Sequence, residues 1–329
     1  GSSSGSGVAA SANLAAATIG TETNGSIVSP ATANGVVGLK PTVGLTSRAG
    51  VIPISQSQDS IGPLARSVDD AAAVLTVLAG PDRRDPATSP AMVHDYVTYV
   101  DADGLRGARI GVATSLFGFS HHADRVVTNA VEMMRGAGAI IIEVPELTVE
   151  SDLVRAQREI LLHEFKSGLN SYLAGRAEGP PHTLADVIAF NEQHADTELQ
   201  HFGQELFEIA QTRGPLTSQA YLDAVATVDR LARVEGLDKF LAGHELDSIV
   251  APTGAPATPI DLINGDARMG GTSTLAAAAG YPLISVPAAS VAGMPVGVTF
   301  MGAAWSEPTL IKLTSGFEAL RGPRPQPIL

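Results

Sequence analysis

Chemistry in this chain concentrates in two glycine-bracketed runs of small polar residues, GSSSGSG at residues 1–7 and GTETNGSIVSP at residues 20–30. In the second run Ser26 directly follows Asn24-Gly25, a pair that favours a tight turn with positive φ. A serine set there is exposed on a sharp turn with several backbone N–H groups facing one way, which suits both a nucleophile and an oxyanion hole. An ordinary turn serine or a helix cap fits the same residues. The first run reads three ways: an expression scar, a catalytic loop whose serines do different jobs, or a G-x-S-x-G nucleophile elbow over residues 1–5. The elbow needs a strand before it and a later Asp and His. His244 in AGHELD reads instead as a helix-end residue.

Composition removes other chemistries. There is no cysteine, so a thiolate nucleophile, a disulfide and a cysteine-based zinc site are excluded. The eight histidines show no HExxH spacing, and the adjacent His121-His122 reads as part of a solvated loop. With 21 basic against 34 acidic residues and a formal charge of −13, direct contact with nucleic acid or an anionic membrane surface is disfavoured. No apolar run approaches the roughly 18 residues of a membrane span.

The elements that must position the serines follow from periodicity and punctuation. The segment 8–19, VAASANLAAATI, reads as a buried helix leaving the Ser/Gly loop. A helix over 67–80 takes Ser67 as N-cap, Asp69 and Asp70 in its first turn and Gly80-Pro81 as its stop. A strand at 109–114, an amphipathic helix at about 124–135 and a strand at 139–144 make a βαβ unit, which requires parallel pairing. Residues 150–243 read as mostly helical, broken at Gly179-Pro180-Pro181 and Gly214-Pro215. Strands return at 248–252, 283–287 and 296–302, and a last helix covers about 307–320. The expectation is one α/β domain over 1–329, with a mixed, largely parallel sheet covered by helices.

Taken together, GSSSGSG, GTETNGS and GVVGLKPT (residues 35–42) resemble the amidase signature family of serine amidohydrolases. The likeness continues through SQDSIGPLARSVDDAA, YPLISVP and MPVGVTFMG, and the middle segments HEFKSGLNSYLAG, TLADVIAFNEQHA and HFGQELFEIA look nearest to its peptide-amidase branch. In that family the nucleophilic serine lies 24 residues after a loop serine held in a cis peptide, the separation between Ser2 and Ser26 here. The resemblance therefore implies a Ser-cisSer-Lys mechanism without a cofactor. Ser26 would attack the amide, Ser2 would carry protons to a neutral lysine, and N–H groups around Thr23, Asn24, Gly25 and Ser26 would hold the oxyanion. Ser3 and Ser4 would be loop-forming neighbours, with Ser3 beside the substrate. A lysine serves as base only where burial lowers its pKa, so an enclosed site is expected.

The family lysine precedes the Ser/Gly loop, whereas the lysines here are Lys40, Lys166, Lys239 and Lys312. Lys40, in GLKPT, reads as structural, and a further N-terminal segment bearing the catalytic lysine is expected. Asn24 stands where the family usually has Gly or Ala, and its side chain is available to face substrate. Val28 stands where Arg is usual, which suits a neutral amide. The implied substrate is a small amide or short amidated peptide. The alternatives are one component of an amidotransferase that works on aminoacyl-tRNA with partner subunits, or a non-catalytic binding fragment.

Overall fold

The computed structural model describes every residue except 176–178, 180, 266, 268–269, 325 and 328–329. Eight strands form one sheet: β1 (Ala17–Glu22), β2 (Val37–Lys40), β3 (Ser60–Ala65), β4 (Arg109–Val112), β5 (Ile140–Glu143), β6 (Ser248–Pro252), β7 (Leu283–Val291) and β8 (Met294–Met301). Their order is β1-β3-β2-β7-β8-β6-β4-β5.

The mixed α/β class holds, but the balance of the sheet is antiparallel rather than largely parallel. Only β4 with β5 and β4 with β6 run parallel among the described pairings, and the other five neighbours are antiparallel. The parallel pairs are those joined through helices: α4 (His121–Gly136) links β4 to β5 in the expected βαβ unit. By contrast β7 and β8 form a hairpin whose turn, Ala292-Gly293, takes positive φ at both residues (50° and 83°).

Strand alternation divides the core into two layers. Ile249 and Ala251 of β6 join one buried cluster with Val28, Leu275 and Met301, while Val250 joins the other with Ile284, Phe300 and Phe317. Helices α3 (Val68–Leu78), α4 and α12 (Glu307–Arg321) contribute Leu75, Met134 and Phe317 to the second layer. The first is covered by α5 (Ser151–Ala174), α9 (Gln219–Val228), α10 (Asp238–Gly243) and α11 (Thr274–Ala279).

Local signals explain several elements. Ser67 caps α3 by accepting from the Asp70 N–H. Ser120 caps α4 in the same way, so His121-His122 opens a helix rather than lying in a loop. The region 151–243 is mostly helical, adding α6 (Leu184–Gln193), α7 (Ala195–Glu198) and α8 (Glu205–Gln211). Gly214-Pro215 separates α8 from α9, whereas Pro180 of the other expected break lies outside the described residues. Among the described residues no helix is long and apolar enough to cross a membrane.

The buried helix expected over 8–19 is a correction. Helix α1 covers only Ser4–Ser11 and is partly exposed, and from Ala17 the chain becomes β1, paired antiparallel with β3. Small residues tolerate either state, and pairing with Leu64 and Pro63 selects strand.

Candidate active site

Strand β1 delivers the chain into a turn at Thr23–Ile27, after which α2 (Val28–Asn34) begins. Gly25 takes φ +83°, the conformation that an Asn-Gly pair favours. The turn is built around Glu22, which is 1% exposed. Its Oε1 accepts from the Gly25 N–H at 2.8 Å, and its Oε2 accepts from Ile27 and Val28 at 2.7 and 2.9 Å. A carboxylate four residues before the serine, inside a turn rich in N–H groups, is the signal that sequence reasoning passes over.

This clamp narrows the oxyanion donors. The Gly25 N–H is committed to Glu22 and is not free for a ligand. Among the described residues the N–H groups of Thr23, Asn24 and Ser26 have no partner within the chain. Side chains in the turn are more committed. Thr23 Oγ1 donates to Asp59 Oδ1 at 2.5 Å. Asp59 also accepts from Ile54 and Ser55, and burial raises its pKa against those hydrogen bonds. Asn24 does not turn to open space: its Oδ1 accepts from Ser273 Oγ at 2.7 Å and its Nδ2 donates to Gln157.

The first serine run lies against this turn. The Ser3 N–H donates to the Ser26 carbonyl at 3.1 Å, and Gly1 packs on Gly25 and Ser26. Ser2, between them, is thus held beside Ser26, and its side chain is exposed. Ser3 is buried, and its Oγ both donates to the Thr21 carbonyl and accepts from the Thr21 N–H, each at 3.1 Å. Ser3 therefore ties the loop to β1, with no hydroxyl left for substrate.

The expected enclosure is not observed: Ser2 and Thr21 are exposed and Ser26 is half-buried. A cavity of about 200 Å³ flanks the turn, lined by Thr23 and Asp59 and walled by Val51, Ile52, Pro53 and Ile54. Neither Ser2 nor Ser26 lines it. Lys40 is fully buried at the end of β2, with Nζ donating to the Pro41 and Tyr281 carbonyls, both at 3.0 Å. Desolvation pulls its pKa down to about 8 against the opposing charges of Glu22, Glu307 and Asp59. Val28 is buried in the apolar layer beside Leu275.

A fold of this kind recurs in known proteins. The native peptide amidase from Stenotrophomonas maltophilia is 47% identical, with a TM-score of 0.90 over 99% of this chain and 66% of that one. A probable amidase from Arabidopsis thaliana is 39% identical over 328 residues, 97% of this chain and 59% of the relative. A glutamyl-tRNA(Gln) amidotransferase subunit from Acinetobacter baylyi is 31% identical over 336 residues, 97% of this chain and 66% of the relative. The family model described as Amidase matches residues 1–311, and the chain belongs to the amidase signature family. It spans about three-fifths of the length of the first curated relatives it matches.

Proposed function

We propose that the protein hydrolyses a carboxylic amide, in particular the C-terminal amide of a short peptide, through an acyl-enzyme on Ser26. The observation that carries this reading is the Ser3 N–H to Ser26 carbonyl bond, which seats Ser2 beside Ser26 on a turn with uncommitted N–H groups. Ser26 Oγ adds to the amide carbonyl as its proton passes to Ser2, whose own proton goes on to the base. The oxyanion is held by N–H groups of Thr23, Asn24 and Ser26. The relay returns that proton to the amino group as the intermediate collapses and ammonia leaves, and water, activated through the same relay, then hydrolyses the acyl-enzyme to the acid. Lys40 Nζ is committed to the Pro41 and Tyr281 carbonyls, which disfavours it as that base. Burial of Val28 leaves no cation at that position for a substrate carboxylate, which fits a neutral amide. The cavity beside Thr23, walled by Val51, Ile52, Pro53 and Ile54 but also by Arg48, Asp59, Arg84 and Asp85, has room for a neighbouring side chain.

The 31% identical amidotransferase relative supports a second reading, ammonia release from glutamine for a partner. C-terminally amidated dipeptides are expected to release ammonia faster than glutamine does, and the reverse order favours the amidotransferase. A fluorophosphonate probe is expected to label Ser26, and undiminished labelling of Ser26→Ala overturns the nucleophile.

A further inference from the structure

We infer that a one-way chain of hydrogen bonds, anchored on Glu164 in α5 and ending at Asn24, positions the turn that carries Ser26. Its catalytic meaning rests on the reading of Ser26 as nucleophile. Glu164, 2% exposed, accepts from Tyr221 Oη at 2.7 Å, from the Ser57 N–H and Oγ at 3.0 and 2.9 Å, and from Ser55 Oγ. A carboxylate surrounded by four donors is an acceptor throughout. Burial, foremost, and then the Glu164 bond raise the Tyr221 pKa and keep that hydroxyl a donor.

The polarity then propagates. Ser55 has one hydroxyl proton and gives it to Glu164, so its oxygen accepts from Gln58 Nε2 at 3.4 Å. Gln58 must therefore present Oε1 to Gln157, whose Nε2 donates at 2.6 Å. Gln157 Oε1 in turn faces Asn24 and accepts from Nδ2 at 3.3 Å. Asn24 Oδ1 is left to accept from Ser273 Oγ, while Nδ2 also approaches Thr274 Oγ1 at 3.4 Å. Each amide along the path has one orientation consistent with the carboxylate at its end. Glu22 fixes the N–H groups of Gly25, Ile27 and Val28 but not residue 24, and the Asn24 amide supplies the missing second anchor. Asn24, Gln157 and Glu164 are thus positioning residues, acting on Ser26 through the turn.

Two substitutions test the polarity rather than the shape. Asn24→Asp keeps the acceptor for Ser273 but turns an oxygen toward Gln157 Oε1, and Glu164→Gln puts a donor at the anchor. Hydrogen exchange of the peptide over 20–30 is expected to accelerate about tenfold in both, with the peptide over 283–301 unchanged. In the active enzyme kcat is expected to fall about tenfold with KM within about twofold, since small displacement of a nucleophile costs rate rather than binding. Unchanged exchange over 20–30 in both variants, or equal acceleration along the whole chain, overturns the inference. Asn24 is partly exposed, so its variant tests the chain even if Glu164→Gln fails to fold. The exchange measurement needs no turnover, so absence of amide hydrolysis would defeat the proposed function and leave this test standing.

Discussion

Ser2 and Ser26 sit on adjoining stretches that the protein holds in opposite ways. The Ser26 turn is fixed by a buried carboxylate with three backbone donors and by a side-chain amide tied to two distant elements. Among the described residues the Ser2 loop is fixed by neutral bonds, including Ser3 to Ser26 and Thr21, Ser4 Oγ to the Gly1 carbonyl, Ser6 Oγ to the Ile19 carbonyl and Thr18 Oγ1 to the Ser6 carbonyl. Ser2 itself makes no hydrogen bond among the described residues. The contrast matches the proposed roles. A nucleophile gains from an immobile backbone, whereas a relay that passes protons both ways needs a hydroxyl with no standing partner.

Glu22 is where the contrast breaks most severely. Glu22→Ala leaves three buried N–H groups without acceptors, an expected loss of about 3–5 kcal/mol on urea unfolding. Glu22→Gln retains one acceptor oxygen and is expected to cost about 2 kcal/mol, concentrated on the Gly25 bond. A fall under about 1 kcal/mol for the alanine variant would mean that the turn is held by something other than this carboxylate.

Adjacent serines sharpen the same comparison. Ser2→Ala is expected to leave stability within about 0.5 kcal/mol while lowering amide hydrolysis about a hundredfold. Ser3→Ala removes a buried hydroxyl that pairs with both polar groups of Thr21, so about 1–2 kcal/mol of stability is expected to go. Its activity should change far less than that of Ser2→Ala. Thermal melts and ammonia release on the two variants decide this, and a shared phenotype would erase the distinction between relay and strut.

What is legible in the sequence follows the range of the forces involved. Helix α3 can be read because Ser67, Asp69 and Asp70 act within one turn, and β6 because SIVAP is a short apolar run with a buried place. Residues 17–19 cannot, since alanine and threonine there become strand only through partners some 46 residues away in β3. The antiparallel β7–β8 pairing turns on Ala292-Gly293, a tight turn whose first residue carries a positive φ that alanine does not advertise. The two serine runs and the Asn-Gly turn are local and stand out. Glu22 is within reach, but Gln157, Glu164 and Ser273 meet the turn from 133 residues or more along the chain, or through others that do. No local pattern marks such partners.

Lys40 offers the mildest perturbation, because its effect is set by pH rather than by deletion. Burial holds its pKa near 8 in the folded protein against 10.5 ordinarily, so the native state releases this proton first. Between those values the unfolded chain binds more protons, and the stability attributable to this site rises with pH across the window. Below about pH 8 the ammonium is charged in both states and its desolvation cost is fully present. The stability of the protein relative to Lys40→Met is therefore expected to increase from about pH 7.5 to about pH 10.5, by at most about 3 kcal/mol. Taking the difference between the two proteins cancels Tyr221 and Tyr281, whose raised pKa values drive stability the other way at alkaline pH. A flat difference would mean that Glu22, Glu307 and Asp59 keep Lys40 charged throughout, making Glu22 a charge partner beneath the β2 end as well as the clamp of the Ser26 turn. Repeating the titration in Glu22→Gln separates these cases, since removing the strongest opposing charge should move the rise to lower pH.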